Sequence, residues 1–169
     1  MRWVATAVLM WSAAAGATEV LQGIEFRAVT LEPGQRRSFR VPTLERVTGT
    51  SGACIEEGVD TDADETFWLL ATCGGVRTTL VWRADGKRIH VMACAEDEKN
   101  RPAAMVKLRQ KVQLELKGSK QQTACVRNGR VELWGWASSA AEKAHLDALE
   151  TRYGEAQVKS FVEVLEVEE

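Results

Sequence analysis

Arg130-Val131-Glu132-Leu133-Trp134-Gly135-Trp136-Ala137-Ser138-Ser139, continued by residues 140–154, is the stretch on which the reading of the fold turns. Val131 and Leu133 alternate with polar Arg130 and Glu132, the period of a half-buried strand. Gly135 interrupts that strand where a side chain would obstruct a bend or a close backbone approach. Ser139 stands three residues before Glu142, the spacing of a capping box, in which hydroxyl and carboxylate each satisfy an unpaired backbone N–H. Leu146, Leu149 and Tyr153 then share one helical face, and Gly154 sits where a left-handed C-terminal cap belongs. Trp134 and Trp136 fall on one side of the strand. Aromatic side chains are enriched in binding cores, and a packing place under the helix is expected for at least one of the two. The unit positions other groups and carries no catalytic chemistry of its own.

This stretch resembles the core of a BON domain. The resemblance rests on Val131, Leu133 and Gly135, the Ser138-Ser139 link, Leu146 and Leu149, and a closing run of Val158, Phe161, Val162, Val164 and Val167. The tryptophans flanking Gly135 depart from that pattern. The resemblance implies an exported bacterial module associated with membrane or envelope, of a kind found inside secretin channel proteins.

The chain has 169 residues, 45% hydrophobic and 27% charged, values of an ordinary globular protein rather than a disordered or membrane-embedded one. That length allows one average domain or two small ones. A formal net charge of −2 gives no reason to expect nucleic acid as a partner. Arg2, the apolar run from Trp3 onward and Ala15-Gly16-Ala17 read as the three parts of a secretory signal peptide. No cysteine follows that run, so a lipid anchor is not expected, and the mature protein is expected in the periplasm.

Export changes the meaning of Cys54, Cys73, Cys94 and Cys125. An even count in an oxidising compartment suggests two disulfides, with three possible connectivities. Cys54 with Cys73, joining expected strand neighbours, and Cys94 with Cys125, tying the two halves, are preferred over free buried thiols.

Residues 25–94 read as successive short strands. Glu32-Pro33-Gly34-Gln35 is a reverse turn. Residues 38–41, 44–50 and 53–59 are strand candidates, and residues 78–82 and 88–93 form a hairpin over Asp85-Gly86. Strands about ten residues apart suggest a small sandwich or barrel. The Leu31-Glu32-Pro33-Gly34-Gln35 run, Arg46-Val47, Gly74-Gly75 before Thr78-Thr79-Leu80-Val81-Trp82, and Asp85-Gly86 resemble the pilus-assembly N-terminal domain. That domain precedes a BON domain in secretins of the Tad pilus type. The cysteines and the enlarged loop over residues 60–65 depart from it.

After a charged link, Pro102 suits a first helical turn, and Met105, Leu108 and Val112 predict a helix over 103–117. Asn128-Gly129 predicts a type I′ hairpin between residues 122–126 and 130–136. The expected organisation is therefore a signal peptide at 1–17, a β-rich domain at 18–95, a link at 96–101 and a BON-like domain at 102–169. The expected fold class is a small all-β sandwich followed by an α+β domain of order α-β-β-α-β.

Asp60, Asp62 and Asp64 alternate like the start of a calcium loop, but an EF-hand needs glycine at Glu65 and a bidentate acid at Ala71. His90 and His145 have no acid or cysteine at ligand spacing. No nucleophile elbow or phosphate loop is present. No enzyme, cofactor, metal or nucleic-acid function is expected. Lys107, Arg109, Lys111, Lys117 and Lys120 make the first helix and its exit basic, while Glu163, Glu166, Glu168 and Glu169 make the tail acidic. The expectation is a non-catalytic periplasmic adaptor that docks on a protein partner, as an accessory to a secretin or pilus assembly, with Trp134, Trp136, Lys107, Arg109 and Lys111 as candidate surface. The alternative is a module that binds anionic lipid surfaces.

Overall fold

Period-two alternation builds the first two sheets. The computed structural model describes residues 18–50, 53–60, 62 and 65–165. In chain order the first eight strands are β1 (Glu19–Val20), β2 (Phe26–Leu31), β3 (Arg36–Arg40), β4 (Leu44–Gly49), β5 (Ile55–Val59), β6 (Thr66–Ala71), β7 (Gly75–Arg83) and β8 (Arg88–Ala95). One sheet has the order β1-β3-β6-β5 and the other β2-β8-β7-β4. The β1/β3 and β2/β8 pairs are parallel and the rest antiparallel. Val29 and Leu31, Phe39, Phe67 and Leu69, and Ile89 and Val91 meet between the sheets as one buried cluster. Phe39 and Phe67 stack there with ring centroids 5.0 Å apart.

The remaining elements are α1 (Ala103–Glu115), β9 (Gln122–Arg127), β10 (Arg130–Ala137), α2 (Ala140–Tyr153), β11 (Val158–Ser160) and β12 (Glu163–Val164). β10 pairs antiparallel with β9 and parallel with both β11 and β12. Asn128 and Gly129 take φ of 52° and 70°, as a type I′ turn requires. Val112, Leu133, Leu146, Leu149 and Val158 centre a second buried cluster. The Glu142 N–H donates to the Ser139 hydroxyl (3.1 Å), while the Glu142 carboxylate accepts from the Ser138 N–H (2.6 Å), one residue earlier than an ideal capping box. Gly154 ends α2 with φ of 89° and ψ of 133°, a positive φ that suits glycine but not the left-handed cap expected.

The expected fold class is corrected by this architecture. The chain is mostly β, with twelve strands in three sheets among the described residues and only two helices, of 13 and 14 residues. It does not form a sandwich joined to an α+β domain of BON type. The run from Val158 onward does not make one closing strand: Phe161 and Val162 break it into β11 and β12, and Val167 lies outside the described residues. The helices cover one side of the third sheet, while its other side closes on the β2-β8-β7-β4 sheet. There the Ala28 N–H donates to the Lys120 carbonyl (2.9 Å), and Thr30 and Thr123 join their hydroxyls at 2.7 Å.

β6 is the other difference from the sequence reading. Thr66-Phe67-Trp68-Leu69-Leu70-Ala71 is nearly continuous in apolar residues, which hides its alternation. Paired on both sides by β3 and β5, it buries Phe67 and Leu69 while Trp68 lies beneath the Arg36 guanidinium, 4.7 Å from the ring centroid. Cys54 is bonded to Cys73 and Cys94 to Cys125, the pairing preferred from the sequence. The second bridge joins β8 to β9 across the seam. Two disulfides fit an oxidising, extracytoplasmic compartment.

Candidate functional site

The rim of the sandwich between β2 and β3 is closed by ions. By alternation Arg27 shares the inward side with Val29 and Leu31, and Arg37 shares it with Phe39. Both guanidiniums meet one carboxylate, that of Glu19 on β1, with Arg37 Nη2 at 2.7 Å. Arg27 is only 8% exposed, and its Nε and Nη1 have no hydrogen-bond partner among the described residues. Burial, and for Arg27 also the charge of Arg37, lowers the pKa of both arginines. Beside them opens a cleft of about 380 Å³, whose far wall carries Arg109 and Gln113 of α1, Lys120 and Thr123. The Gln113 carbonyl oxygen accepts from the Ala124 N–H (2.9 Å), which leaves its amide N–H groups as donors in the cleft wall.

A second arrangement occupies the outer side of the β2-β8-β7-β4 sheet. Arg46, Trp82 and Arg88 are register neighbours on β4, β7 and β8. Arg46 and Arg88 lie over the Trp82 ring, 4.5 and 5.0 Å from its centroid. Both arginines are exposed and Trp82 is half-buried. The Trp82 Nε1–H has no hydrogen-bond partner among the described residues.

The residues expected to form a surface are dispersed. Trp136 is 7% exposed and packs edge-on against Phe26 (5.1 Å), close to His90 (6.3 Å). Trp134 stacks on Phe161 at 4.6 Å and donates its Nε1–H to Glu132 (3.0 Å). Arg109 turns inward to the fully buried Glu96, Nε to Oε1 at 3.1 Å. Lys107 and Lys111 are exposed on α1, with no ion pair among the described residues. Gly135 takes φ of 128°, and a Cβ added there would collide with the Gln121 carbonyl. Asp60 pairs with Arg36 at 3.4 Å, Asp62 is exposed, and Asp64 lies outside the described residues.

Sequence reasoning missed Arg27, Arg37, Arg46, Trp82 and Arg88. A signal for the first two was present: Arg27-x-Val29-x-Leu31 and Arg37-x-Phe39 place a cation in the phase of a buried row. Nothing in the sequence announces the second group, because its members meet only through strand pairing. Among the described residues no three acids, histidines or cysteines converge as a metal site. Nor is any helix there long and apolar enough to cross a membrane. Comparison with family profiles, curated proteins and solved structures found no match to this chain.

Proposed function

We propose that this chain is an exported, non-catalytic adaptor that docks through the outer side of β4 and β7 onto a protein assembly of the cell envelope. The observation that carries this reading is the Arg46-Trp82-Arg88 stack. Tryptophan and arginine dominate the energetics of protein interfaces, because each offers a large, rigid contact area with a polar handle. Stacking also holds the two guanidiniums ordered before a partner arrives, which lowers the entropy cost of binding.

The signal-peptide pattern at residues 1–17 and the two disulfides support a periplasmic location. The resemblance of the N-terminal half to the pilus-assembly N-terminal domain makes a secretin ring the first partner to test. In-cell cross-linking should recover a secretin with the wild-type chain. Recovery should fall with Trp82→Ala and Arg46→Ala variants that remain folded. A wild-type chain that recovers no secretin counts against that partner, and unchanged recovery by the variants counts against the surface.

A further inference from the structure

The cleft beside Arg27 poses a different question from the tryptophan platform. Arg27 and Arg37 share a single carboxylate, so the pair keeps an excess positive charge in a partly desolvated place. Lys120 lines the same cleft and has no ion pair among the described residues. Arg109 contributes little free charge, since it is matched to Glu96 and lies 3.7 Å from Glu32. Two guanidinium nitrogens of Arg27, Nε and Nη1, have no acceptor among the described residues although that side chain is nine-tenths buried. Buried donors are ordinarily satisfied. An unsatisfied charged donor lining a cleft marks a place where an acceptor is missing.

The chain itself indicates which acceptor fits. Glu19 presents a carboxylate to both arginines, so the site already holds the group that a guanidinium fork recognises. The remaining space, about 380 Å³, lies in the range of sites that take whole ligands rather than one small ion. We infer that this cleft binds the carboxylates of an acidic segment of a partner protein, with Arg27, Arg37 and Lys120 as its cations and the Gln113 amide as a further donor. Glu19 competes with that segment from within the chain.

The test uses the purified mature chain, residues 18–169, and a short fluorescently labelled polyglutamate peptide, followed by anisotropy. Binding is expected at low ionic strength and should weaken as salt rises. Lys120→Ala should weaken it roughly three- to tenfold, the scale of one partly desolvated ion pair. Lys87→Ala, an exposed lysine outside the cleft, serves as the charge-matched control and should leave it unchanged. Glu19→Gln removes the internal competitor and should tighten binding. A purely structural role for the ion cluster would instead lower stability in Glu19→Gln without improving the peptide's affinity, and that result overturns the inference. So does equal weakening by Lys120→Ala and Lys87→Ala, the absence of binding by both wild type and Glu19→Gln, or binding of inorganic phosphate without the peptide. Because this measurement uses neither a secretin nor Trp82, its failure and the failure of the docking reading can be told apart.

Discussion

Arg109 of α1 and Glu96, the residue after β8, meet across the seam at 3.1 Å, with the carboxylate fully buried. Arg101 holds the other oxygen at 2.6 Å, and the Val126 N–H donates to Oε1 at 3.1 Å. Glu96 therefore links the end of the sandwich, the first helix and the edge of β9. Removing one partner of such a buried pair leaves an uncompensated charge, at a cost of about 3–5 kcal/mol. Arg109→Met should lower the free energy of unfolding by about that much, less whatever Arg101 recovers. Replacing Glu96 and Arg109 together by apolar residues should cost less than the sum of the single changes.

The two disulfides close loops of different length, 19 and 31 residues in sequence separation. Chain-entropy reasoning gives about 3.2 kcal/mol for the shorter loop and about 3.7 kcal/mol for the longer. Paired Cys→Ala variants should show that order in chemical denaturation. Only loss of Cys94–Cys125 crosses the seam, so only that variant should let the two cores unfold in separate steps. Limited proteolysis should then cut first within residues 96–101.

Gly135 lies where β10 passes close to the Gln121 carbonyl, at φ of 128°. Alanine cannot take that conformation without strain, and its Cβ would strike backbone rather than a movable side chain. Gly135→Ala should lose roughly 3 kcal/mol or more, among the larger single-residue effects. A melting temperature within a degree or two of wild type would show that β10 can shift there after all.

His90 stacks on Phe26 at 4.6 Å and faces Trp136, with Arg88 as its charged neighbour. Burial first, and then the Arg88 charge, lowers its pKa. The unfolded chain therefore takes up the proton before the folded one as pH falls. Stability from this group is complete above the unfolded value of about 6.5, and is lost as pH drops from there through the lowered folded value. Thermal melts across that window should show the loss, and His90→Phe, which keeps the stack, should reduce it.

Legibility followed the range of the interactions involved. The capping serine and glutamate of α2, Asn128-Gly129, Asp85-Gly86 and the helix end at Gly154 were readable because their signals come from residues a few positions apart. The Cys54–Cys73 bridge was readable from expected strand neighbours, since bridging needs Cβ atoms close in space, whereas Cys94–Cys125 was preferred only as a tie between the two halves. The overall class was not. An α-β-β-α-β order in the second half suggested a free-standing layered domain, but order says nothing of which sheet side is covered. Trp136 looked like a surface residue for the same reason: Phe26 and His90, which bury it, come from strands far away in the sequence.

By itself the chain determined its turns, its caps, most of its strands and an inward-facing phase for two arginines, all of them consequences of backbone geometry over short spans. Only tertiary structure decided that Glu96 is buried, that Arg109 faces inward, and that Arg46, Trp82 and Arg88 form one stack. Those outcomes depend on desolvation and pairing between distant segments, and the energy of a charge is set by what surrounds it once the sheets have closed.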